Sequence, residues 1–112
     1  MANEFREENG IIIVKLEGKI MGSPQDTSLV NQVYEMLEKG NLKIVFDFAN
    51  VEWINSRGLG LCITIYTSLS NKGGGFRLAC LNDKVESFLD KCKMFAVFET
   101  SDSVEEAIKS LA

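Results

Sequence analysis

The segment from Leu42 to Phe48, LKIVFDF, is a short and nearly continuous run of apolar residues. Such a run is typical of a central β-strand that is covered on both of its faces. A strand of this kind needs other elements to pack against each face, which constrains the whole chain to a layered architecture. The run therefore predicts a sheet with helices around it.

Other segments have the composition of strands. Ile11 to Glu17, IIIVKLE, is rich in β-branched residues and ends at Gly18. Phe5 to Glu8 is predicted to pair with it through Asn9-Gly10, a favoured two-residue hairpin loop. Phe76 to Leu81, FRLACL, predicts a further strand.

Helical periodicity separates these strands. Ser23-Pro24 predicts a helix start, with apolar residues on one face until Gly40 ends the helix. A second helix is predicted from the region of Asn55 to about Asn71, a third after a capping box of Asp83 and Glu86, and a fourth after Ser103 and Glu106. The alternation predicts one α/β domain over residues 1–112, with a mixed sheet of four to five strands and about four helices.

Composition limits the possible functions. The chain has 112 residues, of which 46% are hydrophobic, so one folded unit with one core is expected. Its formal net charge is −4 and it has no basic cluster, which argues against direct binding of nucleic acid. The N-terminus is polar and acidic and no long apolar stretch follows, so we expect a cytoplasmic protein without membrane contact. A monomer is the default expectation.

The residue inventory also limits the chemistry. The chain has no histidine, which excludes histidine-based catalysis and histidine metal ligation. Its three cysteines, Cys62, Cys80 and Cys92, are odd in number, lack C-x-x-C spacing and lie in apolar patterns. We therefore expect buried thiols instead of disulfides or a metal site, and no cofactor.

One motif is distinctive. From Lys43 the chain reads KIVFDFANVEWINSRGLGLCI, in which Asp47 lies on an apolar strand and Ser56 precedes Gly58-Leu59-Gly60. This resembles the signature of the STAS domain of bacterial anti-sigma factor antagonists. The early strand ending in Gly18, the glycine-rich loop before Phe76 and the C-terminal helix agree with that family in order and spacing.

The resemblance implies a binding protein and not an enzyme. In such proteins the serine at the position of Ser56 is phosphorylated by a partner that is both an anti-sigma factor and a serine kinase. The unphosphorylated form binds that partner and frees the sigma factor, and a serine phosphatase reverses the modification. The implied partner-binding residues are Met21, Asn55, Ser56, Arg57, Gly58, Leu59 and Gly60, with Asp47 supporting the site.

The residues by themselves leave alternatives open. A phosphate on Ser56 would lie at a helix start, where free N–H groups and the helix dipole favour an anion, yet the same serine could simply be the N-cap. Asp47 could support the site or bond to backbone near the strand end. Arg57 could pair with a phosphate or an acidic partner, or be an ordinary exposed residue.

Three residues depart from the family pattern. Asn55 replaces a frequent aspartate, Arg57 replaces a small residue, and Met21 stands where an acidic residue is common. They motivate a second hypothesis, an unswitched STAS scaffold or interaction module in a signalling or transport complex. A small enzyme or nucleotide-binding domain is a third, supported only by the α/β layout and an anion-favouring helix start.

Overall fold

A computed structural model describes residues 3–112 of the chain. The strands are β1 (Glu4–Glu8), β2 (Ile11–Ile20), β3 (Lys43–Ile54), β4 (Gly75–Ala79) and β5 (Glu99–Ser101). The helices are α1 (Pro24–Glu38), α2 (Ser56–Asn71), α3 (Asp83–Lys91) and α4 (Val104–Leu111), with a short 3₁₀ helix at Met94–Ala96. The α/β class and the predicted numbers of strands and helices are confirmed.

The five strands form one mixed sheet in the order β1-β2-β3-β4-β5. β1 is antiparallel to β2, and the remaining neighbours are parallel. Asn9 and Gly10 both have positive φ, 54° and 78°, as the predicted two-residue hairpin turn requires. The hairpin accounts for the single antiparallel pair in an otherwise parallel sheet.

Helices cover the sheet on both faces, which explains the continuous apolar character of β3. Alternate residues of β3, among them Ile44 and Phe46, belong to a large core with α1, α2 and α3. Val45, between them, faces the opposite side and packs with Ala107 and Leu111 of α4. Successive side chains of a strand point to opposite faces of the sheet. The odd-numbered and the even-numbered residues in this part of β3 are therefore both mostly apolar.

β3 continues well beyond the predicted run, to Ile54. It pairs with β4 only as far as Asp47. Its second half continues to pair with β2, with two shifts of register along the β2–β3 pair. Beyond Asp47, the edge of β3 that no longer pairs with β4 is bound by Asn82. The side-chain amide of Asn82 donates to the carbonyls of Val51 (2.8 Å) and Glu52 (3.0 Å). This extension delivers the chain to the start of α2.

Most predicted helix boundaries are correct, with one exception. Ser23 caps α1 with Pro24 in the first turn, Ser103 caps α4, and Gly40 follows the end of α1 with φ 95°. The predicted capping box of Asp83 and Glu86 is wrong, because Asn82 caps α3 and accepts the Val85 N–H at 2.8 Å. Asparagine provides the same acceptor one residue earlier.

Candidate functional site

The start of α2 is held by Asn55. Its side-chain oxygen accepts the N–H of Gly58 at 3.0 Å, and its carbonyl accepts the N–H of Leu59 at 2.9 Å. The backbone N–H of Asn55 donates to the carbonyl of Ile20 at the end of β2, at 3.2 Å. Asn55 therefore satisfies part of the first helical turn and ties it to the neighbouring strand.

Ser56 is the first residue of α2, and its side chain is exposed. The structural alternative, in which Ser56 serves as the N-cap, is wrong because Asn55 occupies that position. Within residues 3–112, the hydroxyl of Ser56 has no hydrogen-bond partner. The hydroxyl is thus accessible and is not required for the helix.

The loop between β2 and α1 lies beside this serine. Gly22 has φ +80°, and a Cβ added to it would lie 2.7 Å from the Cβ of Arg57 and 3.2 Å from its Cδ. The aliphatic stem of Arg57 therefore lies directly over Gly22, where no side chain intervenes. Met21, next to Gly22, is 41% exposed. The structure places Met21, Ser56 and Arg57 on one exposed surface.

Sequence reasoning missed the residue that fixes this loop, Asp26. It is fully buried, and its Oδ2 accepts the backbone N–H groups of Met21 (3.1 Å), Gly22 (2.9 Å) and Ser23 (3.1 Å). Ser23 accepts the Asp26 N–H in return, at 3.3 Å, which completes a capping box. The Ser-x-x-acidic spacing was the signal, since the same spacing identified the start of α4.

Three more of the residues that the resemblance implies for partner binding are Gly58, Leu59 and Gly60, and they differ in how far they are buried. Gly58 packs against the carbonyl of Ile20 and the side chain of Ile54, so its missing side chain admits this chain's own backbone. Leu59 is only 7% exposed and belongs to the large core. Gly60 is exposed with open space around it. Gly60 therefore belongs to the outer surface, whereas Gly58 and Leu59 support it from beneath.

Asp47 lies apart from Ser56. Two residues after Val45 on the same strand, it faces the α4 side of the sheet, where its carboxylate accepts the Ala49 N–H at 2.9 Å and contacts the Cys80 thiol. It is 7% exposed. The local backbone role anticipated for a strand-end aspartate is the one observed, and the structure does not bring Asp47 to the serine.

Two of the three cysteines have thiols with a raised pKa. Burial, with a further contribution from the Asp26 carboxylate, raises the pKa of the Cys62 thiol to about 12. Partial burial, followed by the nearby Asp47 carboxylate, also raises the pKa of the Cys80 thiol. All three cysteines are free, Cys62 being buried and the other two half-buried. Among the described residues no group of three or more cysteine or acidic side chains is arranged to hold a metal ion.

Neither of two surface grooves adjoins Ser56. One, of about 300 Å³, lies along α3 beside Phe95, and the other, of about 60 Å³, lies at the carboxyl ends of β4 and β5 beside Cys80. No helix in residues 3–112 is long and apolar enough to cross a membrane. The exposed surface at Ser56 is formed by the start of α2 and the loop between β2 and α1.

These features, a mixed five-stranded sheet with a serine at the start of the helix after its central strand, define the class of this protein. A profile of the STAS domain matches residues 3–107, and the chain belongs to the STAS domain family.

Relatives agree with this assignment. A candidate anti-sigma factor antagonist of Thermotoga maritima is 35% identical over 77 residues, which cover 69% of this chain and 68% of that protein. The crystal structure of a candidate anti-sigma factor antagonist from T. maritima superimposes with a TM-score of 0.90 and 25% identity, covering 97% of this chain and 93% of the other.

The fold is also that of SpoIIAA, an anti-sigma factor antagonist solved in unphosphorylated and phosphorylated forms. Both forms give a TM-score of 0.77, at 14% and 15% identity. The unphosphorylated form matches 97% of this chain and 96% of its own, and the phosphorylated form 99% and 100%. The SpoIIAA structures show the same fold, while the family model and the relative from T. maritima identify the chain as a STAS domain similar to that of anti-sigma factor antagonists.

Proposed function

We propose that this protein is an anti-sigma factor antagonist controlled by phosphorylation of Ser56. In the unphosphorylated form it binds an anti-sigma factor that is also a serine kinase, and it thereby releases a sigma factor. Phosphorylation of Ser56 ends the complex, and a serine phosphatase restores binding. The protein acts as a monomer and regulates transcription without contacting nucleic acid.

The observation that carries this proposal is the state of the Ser56 hydroxyl. It is exposed and takes no part in capping α2, because Asn55 accepts the Gly58 N–H instead. A kinase can therefore approach the hydroxyl without unravelling the helix. The side chains described nearby include no base for the serine, so the kinase supplies it, and Ser56 is a substrate position and not a nucleophilic catalyst.

A phosphate on Ser56 is compatible with the folded domain. The first turn of a helix carries N–H groups without intrahelical partners and the positive end of the helix dipole, both of which favour an anion. The side chain of Arg57 follows immediately and adds a positive charge. The phosphoprotein is therefore expected to keep its fold.

The switch then acts at the contact surface. A phosphoserine carries about −1.5 to −2 charges near neutral pH. Next to the apolar side chain of Met21, that charge must be desolvated when a partner binds. A partner surface fitted to a neutral serine would lose affinity through this cost and through repulsion from its own acidic groups.

The direct test is the phosphorylation state of Ser56 in native cells. The tryptic peptide from Ile44 to Arg57 contains Ser56 as its only serine or threonine. A second protease is run in parallel, because a phosphate beside Arg57 hinders tryptic cleavage. We expect a phosphorylated fraction that changes with growth conditions, whereas its absence in every condition would refute the switch.

Binding provides the second test, with the anti-sigma factor kinases of the same organism as ligands. Ser56→Ala is expected to bind as well as the wild type, and Ser56→Asp to bind more weakly. Ser87→Asp is the matched control, since Ser87 is exposed on α3, away from the site. Equal binding by Ser56→Ala and Ser56→Asp would contradict phosphorylation control.

A second candidate is an unswitched STAS module that binds a partner in a signalling or transport complex. The exposed Met21, with the departures Asn55 and Arg57, favours it, because the surface beside Ser56 lacks the carboxylates frequent in the family. Under this alternative the partner binds regardless of Ser56, and no phosphate is present on the Ile44–Arg57 peptide in any growth condition.

A further inference from the structure

The larger of the two surface grooves, of about 300 Å³, runs along α3, and Ser56 does not line it. Its lining residues are Asp83, Glu86, Ser87, Asp90 and Phe95, and we call it the α3 groove. The lining consists of carboxylates, one hydroxyl and one aromatic ring, without a lysine or an arginine. The α3 groove therefore combines negative charge with a large apolar side chain.

The carboxylates of the groove form a stripe on the helix. Asp83, Glu86 and Asp90 are spaced three and four residues apart, so they lie on one side of α3, and all three are exposed. Lys84 and Lys91 belong to the same helix, but neither has this spacing from the acidic residues and neither lines the groove. The lysines of α3 therefore lie on a different flank of the helix from the stripe.

The stripe costs stability toward its C-terminal end. Asp83 is in the first turn, where the helix dipole favours a negative charge, but Asp90 is in the last turn, where the dipole opposes one. Glu86 and Asp90 also repel each other at a spacing of four. In residues 3–112 the ion pairs have Arg6 and Arg77 as their cations, so no cation of this chain pairs with the stripe. A cation from another molecule would compensate these charges.

Phe95 is the apolar part of the groove. It is 42% exposed, more than any other large apolar residue that the structure describes. It lies on the short 3₁₀ helix Met94–Ala96, which packs against α3. Aromatic residues are enriched at protein interfaces, where burial of the ring contributes much of the binding energy. The ring of Phe95 is therefore available to an apolar side chain of a partner.

The negative surface extends beyond α3. Glu86 also lines the smaller cavity at the carboxyl ends of β4 and β5, together with Asp102, and no lysine or arginine lines that cavity. From Asp83 to Asp90 the stripe alone is about 10 Å long, because a helix rises about 1.5 Å per residue. Carboxylates spread over this distance cannot all bind one metal ion, whereas their span matches about three to four residues of an extended basic segment.

We infer that the α3 groove binds a short basic segment of another protein. Lysine or arginine side chains of that segment pair with the stripe of Asp83, Glu86 and Asp90, and an apolar side chain packs on Phe95. The inference does not depend on phosphorylation of Ser56, which does not line the groove. The domain then has two contact surfaces that are occupied independently.

The first test titrates the isotope-labelled full chain with the blocked peptide Lys-Leu-Lys-Lys and follows backbone amide shifts by NMR. We expect the largest changes at Ser87, Asp90 and Phe95. Glu-Leu-Glu-Glu should cause no change, and Lys-Ser-Lys-Lys should bind more weakly because it lacks the apolar side chain. Equally large changes along the acidic strand β1 would show only general attraction to a chain of net charge −4 and would overturn the groove.

Substitutions locate the binding. Glu86→Lys combined with Asp90→Lys is expected to weaken binding of Lys-Leu-Lys-Lys about tenfold or more. Glu35→Lys combined with Glu38→Lys is the matched control, because these are exposed acidic residues of α1 and the change in net charge is the same. Phe95→Ala should weaken binding of Lys-Leu-Lys-Lys but not of Lys-Ser-Lys-Lys. Thermal melting verifies that each variant is folded, and an equal loss of binding in the two double variants would overturn the inference.

The second test identifies the partner in native cells, with p-benzoylphenylalanine in place of Phe95. We expect a crosslink, mapped by mass spectrometry, to a segment with lysine or arginine residues within about four positions of the crosslinked residue. The crosslink should be lost in Glu86→Lys with Asp90→Lys and kept in Ser56→Asp. No crosslink in any growth condition, a crosslink to a segment without basic residues, or one that persists in the double variant would overturn the inference. A crosslink that Ser56→Asp abolishes would overturn the independence of the groove from the Ser56 surface.

Discussion

The backbone N–H of Asn55 donates a hydrogen bond to the carbonyl of Ile20, with 3.2 Å between nitrogen and oxygen. Gly58 packs against the same carbonyl. The end of β2 and the first turn of α2 are therefore in direct contact, and the loop that follows Ile20 is placed beside Ser56. This contact converts two segments more than thirty residues apart in sequence into one surface.

Gly58→Ala is expected to destabilise the domain. Its new Cβ would overlap the Ile20 carbonyl and the Ile54 side chain, and overpacking of this kind costs about 1–3 kcal/mol. Gly60→Ala is the control on the same helix, where space is open and alanine stabilises by about 0.5–1 kcal/mol. Urea unfolding measures both, and equal stabilities would show that the contact with β2 is not tight.

Asn55→Ala is expected to lower the free energy of unfolding by about 1 kcal/mol, because the Gly58 N–H loses its acceptor. Asn55→Asp keeps the acceptor and should remain close to the wild type in stability. Ser56→Ala should change stability by less than about 0.5 kcal/mol, because its hydroxyl does not cap the helix. A larger loss in Ser56→Ala than in Asn55→Ala in thermal unfolding would reverse the assignment of the cap.

Asp26→Ala removes the acceptor of three backbone N–H groups from a buried position. Leaving such groups unsatisfied costs about 1–3 kcal/mol each, offset where water enters the loop, so we expect a loss of at least about 2 kcal/mol. Asp83→Ala, an exposed first-turn aspartate of α3, is the control and should cost much less. Amide hydrogen exchange of Met21 and Gly22 should also accelerate only in Asp26→Ala.

Cys62 should not react with thiol reagents in the native protein at pH 8, because its pKa is raised to about 12 and the group is buried. The raised pKa also has a stability consequence. The unfolded thiol ionises near pH 9 and the folded one near 12, so the stabilisation is present below pH 9 and is lost between these values, by about 1.4 kcal/mol per pH unit.

Unfolding measured from pH 8 to pH 11 tests the second consequence. The free energy of unfolding of the wild type should fall more steeply with pH than that of Cys62→Ala. The variant is less stable at pH 8, but it has no thiol at this position to ionise. Parallel profiles for the two proteins would show that Cys62 does not titrate in this way. Mass spectrometry of a labelling reaction at pH 8, run with and without denaturant, locates the protected cysteine.

The core strands and the helix starts were largely predictable because they depend on neighbours in sequence. The LKIVFDF run, the Asn9-Gly10 turn and the caps at Ser23 and Ser103 are all present. β5 was not predicted as a strand, because Glu99–Ser101 has no apolar alternation and is ordered only by pairing with β4. The extension of β3 to Ile54 likewise depends on pairing with β2, which no local pattern specifies.

The features of the candidate site also separate into those that follow from local sequence and those that depend on tertiary structure. The sequence by itself determined the α/β class, the mixed sheet and the serine at a helix start, because periodicity and turn chemistry act over a few residues. Only the tertiary structure decided that the loop with Met21 and Gly22 lies against Arg57, that Leu59 is internal, and that Asp47 faces the other side of the sheet. The physical reason is that burial and hydrogen bonding between distant segments depend on how the strands pair and the helices pack, which local sequence does not encode.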